Sequence, residues 1–554
     1  MNKKVCSFPI LFALLALVIG TCAVVFPASA QAAPTSTGSI TVSGTVASSY
    51  DAYQIFSANV VDGDSDAKIA TDLAWASDAV RDAALPVLHS AGMSKSQTTA
   101  QEAAEWLNTD SHLTSALSAQ LARSLQRSGA VSVALNAGTT AELPCGYWLI
   151  VADDDAIAQG EAGTAPIMAL VGGSAVTVKP KAATPKVSKH VLEDSTAAWQ
   201  KAADATVADD LYWRLSATVP AGLTAYDTYA VQFVDTMSAG FDPSKVAASM
   251  RVYVAAGADG GFDAVSTGKD GRTGTEPAKG WTDITAQCGV SVDGKTFTVR
   301  TGDLIAALGG ADAFTAGARV VAVYNAPLNS ACNHGIAKGN PNEVYLRYPR
   351  SPLADQSGDA GFTRTPSDDA CAYTWDLALT KRGSDGDKPL AGAVLSIADD
   401  RGRTLAADGT WDAEGKATVT TGEDGRVTVS GVDSGKLEVR ELKAPKGYTA
   451  FEGVRSVTVK AEGLDVDQVA AAKPKLTITA ESPLRADSAD GSTGSLEASI
   501  INTPTGTPPS ITTGGFMPLT GDMAIYAVAA AAVAGAALIV VALLIKRGGG
   551  SHKE

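Results

Sequence analysis

Few side chains in this sequence have the types and spacing that bind a metal or form a nucleophile. Residues 62–66 (DGDSD) begin like a calcium loop, but Ala67 and Leu73 stand where such a loop needs Gly and Glu. His334 follows Cys332 by two residues without a second Cys-His cluster, so the sequence does not support a closed zinc site. The five histidines are scattered, and neither HExxH nor a nucleophile-elbow pattern occurs. We therefore predict no metal, no cofactor and no enzyme activity.

Six cysteines are present, and two of them lie in an N-terminal apolar segment that we expect to be cleaved off. The other four are Cys145, Cys288, Cys332 and Cys371. Four cysteines in a chain of this length do not make a disulfide scaffold. Cys288 and Cys332 are the candidate disulfide pair because both should lie in one domain, although spacing alone leaves the connectivity open.

The overall charge argues against one class of partner. The 554 residues carry a formal net charge of −15 at pH 7. Binding to phosphates needs clustered lysine and arginine, so we expect no nucleic acid partner. The acidity instead favours solubility outside the cell.

Both ends of the chain have the patterns of targeting segments. Two lysines, an apolar run and small residues are typical of a secretory signal peptide over residues 1–33. Residues 523–545 are apolar and, at about 1.5 Å per helical residue, long enough to cross a hydrocarbon core of roughly 30 Å. Lys546 and Arg547 follow, so the positive-inside rule predicts that the rest of the chain lies outside the cell.

Short segments of alternating apolar and polar residues dominate the region between the ends. Such segments occur at residues 40–46, 297–299, 427–429 and 457–459, and the apolar run at 147–151 also predicts a strand. Turn-forming Asp-Gly pairs occur at 270–271, 293–294, 408–409 and 424–425. Residues 67–127 differ, because Ala, Leu, Gln and Ser recur there at near-helical spacing. The predicted fold is mainly β, with tandem immunoglobulin-like β-sandwich domains and a helical insertion in the first.

Composition marks the predicted domain boundaries. Residues 179–186 are rich in Lys, Pro and Ala, which is typical of an extended linker. We predict an N-terminal domain over residues 34–180, a second domain over 181–370 and a third over 371–504. Residues 505–554 would contain a flexible linker, the apolar segment and the basic tail.

Residues 517–521 (MPLTG) directly precede the C-terminal apolar segment. The order of pentapeptide, apolar segment and basic tail resembles the LPxTG cell-wall sorting signal of sortase substrates, with Met517 in place of the usual Leu. The resemblance implies cleavage between Thr520 and Gly521, with Thr520 as the acyl donor.

The third domain resembles the Cna-B modules of surface proteins along nearly its whole length. The matching pieces are residues 377–381 (LALTK), 389–393 (PLAGA), 439–448 (VRELKAPKGY, the pilin E-box) and 499–502 (SIIN). The resemblance implies a Cna-type sandwich with an intramolecular isopeptide bond between Lys381 and Asn502, promoted by Glu441.

Burial explains why such a bond needs a lysine, a carboxyl group and an asparagine together. Removing a lysine from water lowers its pKa and supplies the uncharged amine that attacks an amide. The same burial raises the pKa of a carboxyl group, which can then donate a hydrogen bond to the asparagine carbonyl while ammonia departs.

The second domain resembles the isopeptide-forming D2 domain of fimbrial proteins. The matching pieces are residues 185–191 (PKVSKHV), 231–240 (VQFVDTMSAG), 324–326 (YNA) and 340–344 (NPNEV). The resemblance implies Lys189 as the nucleophile, Asp235 as the catalytic carboxyl group and Asn342 as the amide partner. Asn340 stays an alternative because it also lies near the start of the same strand.

Polymerising subunits also need a lysine that attacks the sortase-bound threonine of another subunit. Pilin shaft subunits have this lysine in a motif ending Tyr-Pro-Lys between their first and second domains, where residues 176–181 here read VTVKPK. The resemblance implies Lys181 as the linking residue, with Lys179 and Lys186 as alternatives.

Taken together, the chain resembles the major (backbone) pilins of Gram-positive bacteria. That resemblance implies a secreted structural subunit, joined head to tail to identical subunits by a pilin-specific sortase and linked to peptidoglycan by a housekeeping sortase. Tip and base pilins would be further partners of a surface pilus that supports adhesion, and the host ligand is not indicated. The alternative is a non-polymerising, wall-anchored adhesin that binds host matrix through its first domain.

Overall fold

The computed structural model describes residues 36–64, 67–109, 111–181, 184–257 and 280–506. The expected signal peptide, the MPLTG pentapeptide with Thr520 and Gly521, and the apolar segment 523–545 lie outside these residues. Among the described residues, no helix combines the length and the apolar character needed to cross a membrane. Strands account for 44% and helices for 15% of the structure, which confirms the mainly β fold.

The first domain combines two sheets with three helices. Its strands are β1 (Thr37–Val42), β2 (Ser49–Asp62), β3 (Lys68–Trp75), β4 (Val133–Asn136), β5 (Thr140–Pro144), β6 (Gly146–Ala152), β7 (Ile167–Val171) and β8 (Val176–Val178). Its helices are α1 (Asp78–Ser90), α2 (Ala100–Asn108) and α3 (Ser115–Ser128). One sheet has the order β5-β1-β8, and the other has the order β3-β2-β6-β7 with β4 paired to β2.

The helical insertion begins later than its sequence pattern predicted. Residues 68–75 were expected to be helical but form β3, which pairs antiparallel with β2. Backbone pairing to a neighbouring strand outweighs the local spacing there. The three helices each begin after a capping side chain, supplied by Ser77, Thr99 and Thr114, that accepts a hydrogen bond from a backbone N–H.

The second domain is a sandwich of two large sheets around a common core. Its strands are β9 (Val187–Glu193), β10 (Ala198–Gln200), β11 (Ala202–Asp204), β12 (Tyr212–Thr218), β13 (Gln232–Met237), β14 (Arg251–Ala255), β15 (Trp281–Asp283), β16 (Gly289–Asp293), β17 (Thr296–Arg300), β18 (Arg319–Asn325), β19 (Asn340–Pro349), β20 (Phe362–Arg364) and β21 (Asp368–Tyr373). Two short helices, α4 (Val246–Ser249) and α5 (Leu304–Ala307), lie between strands. The sheet orders are β10-β9-β12-β18-β14-β15 and β11-β21-β19-β13-β17-β16, with β20 paired to β19.

The third domain is a second two-sheet sandwich. Its strands are β22 (Trp375–Gly383), β23 (Val394–Ala398), β24 (Thr404–Leu405), β25 (Trp411–Asp412), β26 (Val419–Thr420), β27 (Arg426–Val432), β28 (Gly435–Lys443), β29 (Tyr448–Thr449), β30 (Val454–Glu462), β31 (Lys475–Ala480), β32 (Leu484–Asp490) and β33 (Ser495–Pro504). The orders are β27-β22-β33-β29 with β32 on β33, and β25-β24-β23-β28-β30-β31 with β26 on β23. The first and last strands, β22 and β33, lie side by side and parallel.

The Asp-Gly pairs that the structure describes lie in tight connections between strands. The pair at 293–294 joins β16 to β17, where Gly294 has a φ of +59° that glycine adopts without a steric penalty. The pair at 424–425 leads into β27 in the same way. The pair at 270–271 lies outside the described residues.

Candidate functional site: two buried lysine, carboxyl and asparagine clusters

The second domain brings a lysine, an aspartate and an asparagine together between its two sheets. Lys189 on β9 lies in one sheet, while Asp235 on β13 and Asn342 on β19 lie on neighbouring strands of the other. Each of the three residues lies at an inward-facing position of its strand, and each is 0% exposed. Charged residues are almost never buried this fully unless they are paired. The burial therefore needs a specific explanation.

The Lys189 ammonium group contacts the carboxylate of Asp235 directly. Burial lowers the pKa of Lys189 from 10.5 to about 8, although the charge of Asp235 opposes the shift. Burial also raises the pKa of Asp235, against the effect of Lys189. Both shifts favour the neutral pair of amine and carboxylic acid, which is the pair that amide attack requires.

A tyrosine completes this cluster. The Tyr324 hydroxyl on β18 accepts hydrogen bonds from Lys189 Nζ at 2.8 Å and from Asn342 Nδ2 at 2.9 Å. It donates to Asp235 Oδ2 at 3.1 Å. The sequence comparison included Tyr324 in a matching piece but gave it no role, because the motif alone does not show which way its hydroxyl points.

The structure distinguishes the two candidate asparagines of the second domain. Asn340 uses its side chain to hold a loop, donating to the carbonyl oxygens of Asn333 at 2.8 Å and Ala372 at 3.2 Å. Asn342 instead bonds to Tyr324 inside the cluster. Its Oδ1 has no hydrogen-bond partner among the described residues, and neither has Asp235 Oδ1.

The third domain contains a second cluster of the same composition. Lys381 on β22 contacts Asn502 Oδ1 on the adjacent strand β33. Glu441 on β28 reaches in from the opposite sheet, with Oε1 at 3.1 Å from Lys381 Nζ and accepting from Asn502 Nδ2 at 2.8 Å. Lys381 is 0% exposed, and burial lowers its pKa from 10.5 to about 8 against the effect of Glu441.

Apolar residues surround the third-domain cluster between the two sheets. Trp375, Leu377 and Leu379 precede Lys381 on the inward face of β22. The Phe451 ring lies 5.5 Å from Lys381 Nζ, and its backbone N–H donates to Glu441 Oε2 at 3.1 Å. Water is thus kept from all three reacting groups, which is the condition under which a lysine becomes a nucleophile.

The three candidate linking lysines share one exposed segment. Lys179, Lys181 and Lys186 are all exposed in the segment between β8 and β9. Their proposed acceptor group on Thr520 lies outside the described residues.

The candidate disulfide is not present. All four described cysteines are free thiols, and the prediction of a Cys288–Cys332 bridge is therefore not supported. Cys288 Sγ faces the Ile284 carbonyl oxygen at 3.3 Å, whereas Cys332 Sγ lies 3.6 Å from His334 Nε2. Placement in one domain does not bring two thiols together, because a disulfide also needs Cα atoms within about 7 Å.

The first domain contains a buried lysine that the sequence did not reveal. Lys68 on β3 is 8% exposed and donates to the carbonyl oxygens of Gly172 and Ser174. Its hydrogen bonds within the described residues go to backbone oxygens, and no asparagine side chain is among these acceptors. Within the same ranges, no group of three or more His, Cys, Asp or Glu is arranged to hold a metal ion.

Carboxyl groups and arginines fill the boundary between the second and third domains. Asp204 Oδ2 accepts from Trp375 Nε1 at 2.7 Å and from the Ser434 backbone at 2.9 Å. Burial and the nearby Asp204 charge raise the pKa of Glu193 from 4.5 to about 7. Arg403 binds Asp209 through two parallel hydrogen bonds at 2.5 and 2.7 Å. The boundary between the two domains is therefore polar, and burial there favours the protonated form of Glu193.

Comparison with known proteins gives a family match within the third domain. Residues 376–473 match the family model of the SpaA prealbumin-like fold domain. The trypsin-resistant surface T6 protein of Streptococcus pyogenes serotype M6 is 31% identical over 134 residues, which is 23% of this chain and 23% of that protein. The aligned region thus spans less than a quarter of that curated relative.

Two solved pilin structures match this chain at low sequence identity. The T6 backbone pilin of S. pyogenes serotype M6 has 17% identity and a TM-score of 0.46, covering 85% of this chain and 98% of that chain. The major pilin SpaD of Corynebacterium diphtheriae has 15% identity and a TM-score of 0.41, covering 86% and 100%. The chain is similar to the backbone pilins of Gram-positive bacteria, which confirms the resemblance expected from its sequence.

Proposed function

We propose that this chain is the shaft subunit of a covalently polymerised pilus, strengthened by internal isopeptide bonds from Lys189 to Asn342 and from Lys381 to Asn502. The observation that carries the proposal is the pair of fully buried lysines, each in contact with a carboxyl group and close to an asparagine amide. An ordinary buried ion pair adds little stability, since desolvation offsets its attraction. Two such clusters in successive domains are better explained by a reaction than by a salt bridge.

The reaction converts each ion pair into an amide. A proton moves from the lysine to the carboxylate, and the free amine attacks Cγ of the asparagine while the carboxylic acid hydrogen-bonds to the amide oxygen. The carbon–nitrogen bond to Nδ2 then breaks, and ammonia leaves. Each domain reacts once, so the carboxyl group acts within its own molecule and the chain is not an enzyme with turnover.

The two bonds would strengthen the domains in different ways. A bond from Lys189 to Asn342 joins the two sheets of the second domain, because β9 and β19 belong to different sheets. A bond from Lys381 to Asn502 joins the first and last strands of the third domain within one sheet. A pulling force that enters through those strands then meets a covalent bond before it can peel either strand away.

Polymerisation would use Lys181, between the first and second domains, and Thr520, near the C-terminal apolar segment. A pilin-specific sortase would cleave after Thr520 and transfer its acyl group to Lys181 of the next subunit, and the final subunit would be passed to peptidoglycan. The chain would accordingly be secreted and held at the cell surface, with no cofactor. The exposure of Lys181 is compatible with this attack.

Intact mass and polymer formation test the proposal separately. Each internal bond removes one ammonia, about 17 Da, so the chain should weigh about 34 Da less than its sequence mass. Co-expression with a pilin sortase should give a ladder that survives boiling in detergent. Lys181→Ala should abolish the ladder, while Lys179→Ala and Lys186→Ala should not.

The two measurements have different negative outcomes. A full sequence mass with reactive amines at both buried lysines would refute the internal bonds. A single monomer band in the presence of an active pilin sortase would refute the shaft role and favour the non-polymerising adhesin.

A further inference from the structure

The Tyr324 hydroxyl lies between the two nitrogen atoms that exchange places in the second-domain reaction. It is 2.8 Å from Lys189 Nζ, which forms the new amide, and 2.9 Å from Asn342 Nδ2, which must leave. Its own proton points to Asp235 Oδ2 at 3.1 Å. Both lone pairs and the single proton of the phenol are therefore used within the cluster.

The chemistry at these two nitrogens requires a proton carrier. After the neutral amine attacks Cγ, the attacking nitrogen carries one proton too many, while Nδ2 needs one proton to leave as ammonia. A group that hydrogen-bonds to both nitrogens can accept the first proton while giving up its own. Among the described contacts of Asn342 Nδ2, the phenol oxygen is the acceptor.

The third domain shows how a glutamate meets the same requirement alone. There, Glu441 Oε1 lies 3.1 Å from Lys381 Nζ and 2.8 Å from Asn502 Nδ2, so one carboxyl oxygen reaches both nitrogens. The second domain has the shorter Asp235 in this role. Asp235 contacts Lys189, while Asn342 Nδ2 bonds to Tyr324 instead. The phenol thus bridges the distance that the missing methylene group leaves.

We propose that Tyr324 is a catalytic residue of the second-domain reaction. Once Asp235 is protonated it is a weaker acceptor, and the hydroxyl proton turns from Asp235 Oδ2 to Asn342 Nδ2. The hydroxyl then accepts a proton from the Lys189 nitrogen as it donates its own proton to Nδ2, which departs as ammonia. The phenol ends the step as it began, and the Lys189 Nζ–Cγ bond replaces the Nδ2–Cγ bond. This inference rests on the isopeptide bond proposed above.

The surroundings suit Tyr324 to this task. It is fully buried, and burial together with the nearby Asp235 charge raises its pKa well above 10, so it stays a proton donor. Its ring packs edge-on against Phe297 with centroids 4.7 Å apart, which fixes the direction of the hydroxyl. Asp235 Oδ1 remains without a described partner and is available to donate to the Asn342 carbonyl once it is protonated.

The test compares Tyr324→Phe with a matched variant of the same domain. Tyr348 is also 0% exposed, but its hydroxyl has no hydrogen-bond partner among the described residues. Tyr348→Phe therefore removes a buried hydroxyl without touching the cluster. The full-length chain would be made by cell-free synthesis with a pulse of labelled amino acids, quenched in acid at intervals and digested. Cross-linked peptides that join 189 to 342 and 381 to 502 would then be quantified by mass.

We expect Tyr324→Phe to slow the 189–342 bond by at least about 100-fold, the usual contribution of general acid–base catalysis. The 381–502 bond in the same molecules should form at its normal rate, and Tyr348→Phe should change neither bond. A 189–342 rate in Tyr324→Phe within about 3-fold of the wild type would overturn the role of Tyr324.

The wild-type chain gives an independent measurement that does not depend on how the variant folds. A proton that moves during bond exchange should make formation of the 189–342 bond slower in D₂O than in H₂O, and equal rates would count against the relay. Absence of the 189–342 peptide from the wild type at all times would instead refute the internal bond itself, so the two failures are distinguishable.

Discussion

Replacing Lys381 by methionine isolates the mechanical contribution of the third-domain bond. Methionine has nearly the same length and is apolar, so Lys381→Met removes the amine and keeps the buried volume. Asn502 keeps its Nδ2 in the variant, and this group can donate to Glu441 Oε1 at 2.8 Å, as the Phe451 N–H does to Oε2 at 3.1 Å. The variant therefore differs from the wild type chiefly in having no covalent link between β22 and β33.

The magnitude follows from the length of chain that the bond closes. Lys381 and Asn502 are 121 residues apart, and closing a loop of that size restricts the unfolded chain by about 5 kcal/mol at 25 °C. The free energy of unfolding of the third domain should thus fall by about 5 kcal/mol.

Hydrogen exchange of the full chain measures this loss domain by domain. Amides of β22 and β33 exchange through unfolding of the third domain, so their protection should fall by about four orders of magnitude. Lys436→Met is the control, because Lys436 is exposed and its pairing with Glu438 at 3.1 Å contributes about 1 kcal/mol or less. Protection in Lys381→Met within about tenfold of the control would refute the reasoning, whatever the mass of the wild type.

Three further outcomes are expected. Asn342→Ala should eliminate the 189–342 cross-linked peptide. Asn340→Ala should retain this peptide and lower the free energy of unfolding of the second domain by about 1–3 kcal/mol, because the loop contacts of Asn340 are lost. The reverse pattern would exchange the roles of the two asparagines. In the folded chain Glu193 keeps a proton that the unfolded chain releases above pH 4.5. The contribution of Glu193 to the free energy of unfolding should therefore decline as pH rises from 4.5 to about 7. Urea titrations at several pH values should show this decline, and Glu193→Gln should remove it. Arg403→Met should remove both hydrogen bonds to Asp209 and increase hydrogen exchange at the boundary between the second and third domains by roughly 10–100-fold. Unchanged exchange there would contradict a contribution of this ion pair to the boundary.

Much of the fold could be read from local patterns. Alternating residues on β1, β17 and β30 predicted strands correctly, because a half-buried strand needs an apolar residue at every second position. The stretch now seen as β3 was predicted wrongly. Its spacing was compatible with a helix, and the pairing with β2 that decided otherwise is a contact between distant parts of the sheet.

The candidate sites also divide into residues that the sequence identified and residues that only the structure placed. The resemblance to the D2 and Cna-B domains implied Lys189, Lys381 and their carboxyl partners, because the motifs that carry it are short runs of neighbouring residues. The structure placed Asn342 inside the cluster and turned Asn340 to a loop, although both point inward on β19. Two inward positions on one strand differ by what faces them from the other sheet, and a sequence does not record that.

By itself, the sequence determined the mainly β fold, the resemblance to backbone pilins and the residue types that the cluster chemistry needs. It did so because strand periodicity and motif residues are local properties of the chain. Only the tertiary structure decided that Tyr324 lies between the two nitrogens, that the buried Lys68 bonds to backbone carbonyl oxygens and that Cys288 and Cys332 are free thiols. These facts depend on how strands from different sheets face one another, because the distance between two side chains is set by sheet packing and not by their separation in the sequence.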